Sequence, residues 1–123
     1  MIAPVTGPEI LTGSTRLKAG TATKMVLNMI TTGTMIGLGK TYGNLMVDLR
    51  ASNEKLRDRA VRIVAEITGL ARSDATQGLH SCDGEVKTAI VAARRRLSPD
   101  ASRDALSKAG GQLRKALETA DGN

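Results

Sequence analysis

Leu56, Ala60, Ile63, Val64 and Ile67 recur at three- and four-residue spacing, one face of a helix. Lys55, Arg57, Asp58, Arg59, Arg62 and Glu66 surround that stripe. Ser52 or Asn53 is placed to cap this helix, and Gly69 to end it near Thr68. A short helix follows from Ser73 or Asp74 to about Ser81. The next begins near Asp83, with Val86, Ile90, Ala93 and Leu97 on one face. Ser98-Pro99 opens another, Pro99 occupying the first helical position. Gly110-Gly111 interrupts before a last helical stretch over 112–117, and the tail 119–123 is expected to fray. Residues 52–123 therefore predict a small helical bundle.

The first third has a different pattern. In residues 1–12, Ile2, Val5, Ile10 and Leu11 are apolar, and Pro4 and Pro8 break any ladder. This predicts a short strand end, in a chain that offers no convincing partner strands. Residues 14–38 predict a long helix, with Leu17, Met25, Leu27, Met29, Ile30, Met35 and Ile36 leaving almost no polar face. A helix apolar nearly all round is a buried one, so it calls for a partner surface. Gly39 is placed to cap it. Residues 40–51 connect the two parts, and periodicity leaves strand, helical turn or extended segment open there. The division expected is 1–43, a strand-plus-helix element; 44–51, a connector; and 52–123, the helical domain.

Composition narrows the function classes. The 123 residues are 41% hydrophobic, and 18 Lys+Arg against 12 Asp+Glu give a net charge of +6. That charge permits an acidic partner without choosing one. Tyr42 is the sole aromatic among Phe, Tyr and Trp, which argues against modules that stack single-stranded bases on aromatic platforms. The basic run Arg94-Arg95-Arg96 sits near a helix C-terminus, where cations meet the dipole favourably, so it needs no nucleic acid to explain it. No apolar run reaches the ~20 residues of a membrane span. The single cysteine, Cys82, favours a reducing compartment. His80 and Cys82 are two apart and have no companions for a metal site. Glu54 and Asp58, amid cations, read as a salt-bridged face. Neither a metal nor a cofactor is expected.

The stretch with chemical character is residues 6–24, TGPEILTGSTRLKAGTATK. Helix starts favour acids, because their free N–H groups carry partial positive charge. Here Arg16 and Lys18 occupy the start and Leu17 stands where a capping-box Glu would be. Three readings are open: an anion occupies this entry, a nearby carboxylate offsets it, or the entry is purely structural with Arg16 and Lys18 pointing into solvent. Free N–H groups, the Ser14 and Thr15 hydroxyls and one or two cations describe a phosphate site. Glu9, Ser14, Thr15, Arg16 and Lys18 are the candidate substrate-binding residues, with Thr12, Thr21 and Lys24 behind them. Arg16 or Lys18 would attract a phosphate or carboxylate.

TGPEILTGSTRLKAGTATKMVLNMITTG and GKTYGNLMVDLRASNEKLRDRAVRIV, with CDGEVKTAIV and AGGQLRKAL, closely resemble the C-terminal part of bacterial N-acetylmuramic acid 6-phosphate etherases. The glucokinase regulatory protein is a relative sharing parts of the STRLKAGTA signature. The resemblance implies a mostly α chain: the terminal strand and helix of an α/β sugar-isomerase (SIS) domain, then a small bundle like ubiquitin-associated domains. It implies a cytoplasmic, metal-free, homodimeric carbon–oxygen lyase of peptidoglycan amino-sugar recycling. That enzyme cleaves the D-lactyl ether to N-acetylglucosamine 6-phosphate and D-lactate.

The family's two acid–base glutamates and its phosphate loop lie upstream of the matched region, and no residue here corresponds to them. No catalytic residue is therefore assigned, and the chain by itself is expected to be inactive. The expected partners are the sugar-phosphate substrate and either self-association or a complementing SIS-domain chain, with neither nucleic acid nor membrane. A second reading, of another class, is a non-catalytic sugar-phosphate-binding or protein-interaction module like the regulatory relative.

Overall fold

The computed structural model describes residues 1–50 and 52–118. The tail 119–123 and Ala51, the last residue of the connector, lie outside the described residues. The chain is mostly α and divides into two units, Met1–Gly37 and Leu38–Asn123.

In the first unit, residues 1–17 form bends and turns, and α1 spans Lys18–Gly37. The expected strand in residues 1–12 is not formed, for a strand needs a neighbour to satisfy its ladder. Helix α1 starts four residues later than the apolar pattern suggests. Gly13 has φ +84 and Ser14 donates its N–H to the Leu11 carbonyl (3.0 Å), so the chain is still turning there. The burial expected of α1 is also absent: it contains no buried residue, and Met25, Leu27, Met29 and Ile36 are each more than half exposed.

The second unit opens with a hairpin, β1 (Thr41–Tyr42) and β2 (Leu45–Met46), paired antiparallel as Thr41↔Met46 and Tyr42↔Leu45. Gly43, at φ +57, forms the two-residue turn with Asn44. Five helices follow: α2 (Glu54–Thr68), α3 (Arg72–Ser81), α4 (Val86–Arg95), α5 (Pro99–Lys108) and α6 (Leu113–Glu118). Their ends follow capping chemistry. The Asn53 side chain accepts from the Leu56 N–H at 2.9 Å, and Gly69, at φ +74, donates to the Ala65 carbonyl. Ser98 caps α5 by accepting from the Ala101 N–H, one residue before Pro99.

Helix α4 is central, packing on α2, α3, α5 and α6. It buries Val86, Thr88, Ala89, Ile90 and Val91, while Ala93, expected inside, is exposed. Across the described residues, every buried hydrophobic side chain lies between Val47 and Ala116. Ion pairs tie the periphery to this core. Asp48 meets Lys40 at 3.1 Å and Lys87 at 2.9 Å, and Lys87 also donates to the Gly111 carbonyl. Arg103 joins Asp83, Glu85 and Asp100. Gly39, at φ +68, lies against Gln112 so closely that a Cβ there would sit 3.1 Å from the Gln112 Cα.

Candidate functional site

The helix entry singled out by its residue types is built around Glu9. Its carboxylate accepts from two successive backbone amides, Oε2 from the Lys18 N–H at 2.9 Å and Oε1 from the Ala19 N–H at 3.0 Å. These are the first two donors of α1, whose first turn has no acid of its own. The two amides, Ala19 foremost, hold the Glu9 carboxyl below the usual carboxylate range, with Lys18 adding to the effect and desolvation opposing it. Gly20 donates to the Thr15 carbonyl at 2.8 Å. The carboxylate alternative is thus the one realised: the chain supplies its own anion to the start of α1.

The other candidates divide into two groups. Lys18 turns its side chain back, its Nζ donating to the Pro8 carbonyl at 2.7 Å. Ser14, Thr15 and Arg16 lie in the turn that precedes α1, Ser14 half-buried, Thr15 and Arg16 exposed. Their side chains have no hydrogen bond or ion pair with other described residues. The structure therefore brings Glu9 and Lys18 together as a clamp, and leaves two hydroxyls and a guanidinium together on the loop that the clamp closes. Thr12, Thr21 and Lys24 are exposed. Ser14, Thr15 and Arg16 can donate hydrogen bonds and one full charge to an anion; nothing in this loop is arranged to abstract a proton.

Elsewhere the titratable groups serve the fold. Asp58 pairs with Arg72 of α3, as the composition of α2 suggests, whereas Glu54 has no ion pair among the described residues. Arg95 donates to the Ala116 carbonyl at 3.1 Å, tying α4 to the end of α6. Cys82 is buried, and burial pushes its thiol up, away from the reactive thiolate. No helix among the described residues is long and apolar enough to cross a membrane.

A family model, the C-terminal lid domain of glucokinase regulatory protein, matches residues 43–82. Proteins named N-acetylmuramic acid 6-phosphate etherase match almost end to end. The Rhodopirellula baltica protein is 58% identical over 97% of this chain and 39% of its own length. That of Clostridium beijerinckii is 57% identical over 98% and 40%, and that of Streptomyces coelicolor 59% identical over 98% and 39%. The chain is thus, over nearly all its length, a sequence relative of the N-acetylmuramic acid 6-phosphate etherases, and it spans about two-fifths of the length of those it matches.

Proposed function

We propose that this chain is one part of an N-acetylmuramic acid 6-phosphate etherase and contributes the anion-binding edge of its substrate pocket. The observation that carries the reading is the near-60% identity across almost the whole chain to proteins of that name. The loop chemistry agrees with it. Arg16 supplies the charge for the phosphate or the lactate carboxylate, and Ser14 and Thr15 supply hydroxyl donors. Lys18 adds positive potential at the edge, its ammonium already engaged by Pro8.

The reaction is a lyase reaction. A base removes the proton beside the open-chain aldehyde, D-lactate leaves as the ether C–O bond breaks, and water adds to the resulting double bond. The acid and base come from a complementing SIS-domain segment, which also covers the apolar faces of α1, and the setting is the bacterial cytoplasm. Exposed apolar surface of this extent marks an interaction face. Without that cover, α1 drives self-association.

The test is D-lactate release from N-acetylmuramic acid 6-phosphate. The chain alone should release none. The chain co-expressed with the unmatched segment of the Rhodopirellula baltica etherase should release it, and Arg16→Ala in that pair should raise KM. Turnover by the isolated chain would overturn the division of labour. A silent pair would overturn the assignment.

A further inference from the structure

We propose that Glu9 is a positioning residue: by capping α1 through two backbone amides, its carboxylate closes the loop of residues 10–17 and holds Ser14, Thr15 and Arg16 in one turn facing the substrate's anionic group. The inference rests on the functional reading above and deepens it.

Three hydrogen bonds join the same two short stretches of chain. Two run from the amides of Lys18 and Ala19 to Glu9, and one runs from the Lys18 ammonium to the Pro8 carbonyl. They cross a loop of eight residues. Inside the loop, Ser14 donates to Leu11 (3.0 Å) and Leu17 donates to Ser14 (3.2 Å), while Gly13 takes the positive φ that lets the chain reverse. These inner contacts are single backbone bonds at exposed or half-buried positions, too few to hold a loop against its own entropy. The charge-assisted clamp at its mouth is the strongest contact it has.

The same geometry speaks against Glu9 as a ligand of that anion. Each of its oxygens already accepts from an amide, and a carboxylate beside a bound phosphate repels it. The start of α1 is likewise closed to a substrate anion, because Glu9 already occupies its first two donors. The substrate anion is therefore met by the side chains of Ser14, Thr15 and Arg16, which have no partner among the described residues, and Glu9 acts only through them. A glutamine keeps the length but has one acceptor oxygen where the clamp needs two. An alanine keeps neither.

The experiment has two arms. In the first, amide NMR and hydrogen exchange are recorded on the full chain, wild type against Glu9→Gln and Glu9→Ala. Glu9→Ala should raise exchange at Lys18 and Ala19 about 10-fold or more, as loss of a charge-assisted cap requires. It should also move the Ser14–Leu17 amide signals toward random-coil positions while leaving α4 unchanged, with Glu9→Gln intermediate. Unaltered loop signals in Glu9→Ala would overturn the clamp.

In the second arm, the same variants are paired with the complementing etherase segment and assayed for D-lactate. KM should rise about 10-fold for Glu9→Ala with kcat within about twofold, the mark of lost ground-state positioning. Equal KM with a collapsed kcat would make Glu9 a chemical participant and overturn the proposal. Unchanged kinetics beside a loosened loop would overturn the positioning role alone. A wild-type pair that releases no lactate would fail the functional reading and the positioning role together, and the NMR arm would still decide the clamp.

Discussion

Ile90→Ala should cost this chain several kilocalories, and Met29→Ala almost nothing. Ile90 is fully buried on α4, the helix packed by four others, whereas Met29 of α1 is 62% exposed. Truncating Ile90 removes three side-chain carbons, about 2.4 kcal/mol of transfer free energy at roughly 0.8 per methylene. Four helices seat around the site, so it cannot collapse freely, and a cavity contribution brings the total to ~3–4 kcal/mol. At roughly 4–8 °C per kcal/mol for a domain of this size, the melting temperature falls by on the order of 12–30 °C. Such a loss is a large share of a typical total of about 5–15 kcal/mol. Met29→Ala, at an exposed site, stays within ~0.5 kcal/mol. Urea denaturation followed by circular dichroism measures both, since the chain has no tryptophan to report by fluorescence. A cost below ~1 kcal/mol for Ile90→Ala, or equal costs for the two, would refute the placement of the core between Val47 and Ala116.

Two further outcomes follow from single contacts. Gly39→Ala adds a Cβ at φ +68, 2.8 Å from the Gln112 Cγ and 3.1 Å from its Cα, so it should destabilise by about 1–3 kcal/mol in the same urea assay, and a neutral result would show that this approach is not enforced. Acid should weaken the fold through Asp48 and Glu85: the Lys87 ammonium, aided by Lys40 against desolvation, lowers Asp48, while for Glu85 burial raises the carboxyl but the Thr88 hydroxyl and Arg103 outweigh it. Both pKa values are depressed on folding, so their stabilisation is complete above the unfolded value of about 4 and is lost as pH falls through the folded value. Melting temperatures recorded from about pH 7 to about pH 3 should drop on the acid limb less steeply in Asp48→Asn than in wild type, and identical limbs would remove Asp48 from that account.

The helical domain was legible in the sequence because its signals are local. Asn53, Gly69 and Ser98-Pro99 each declare a helix end within a few residues, and the structure places α2 and α5 where they point. A single apolar stripe places Ala93 inside, but α4 is enclosed by four helices, and its buried set takes in Thr88, Ala89 and Val91 while Ala93 is exposed. The hairpin escaped notice because two-residue strands have no periodicity, although Gly43-Asn44 is a recognised two-residue turn signal. At the candidate site, the residue types were readable and the wiring was not. Glu9 caps from nine residues upstream, far outside the capping-box spacing, so only the missing acid at the start of α1 hinted at it. The apolar sequence of α1 predicts a buried helix, and the described residues leave its apolar faces exposed.

Hydrogen exchange of α1 in the isolated chain tests that last point most directly. Local stability follows buried apolar contact, so the amides of Lys18–Gly37 should exchange orders of magnitude faster than those of Val86–Arg95. Protection of α1 equal to that of α4, in the isolated chain at a concentration where it is monomeric, would contradict the account.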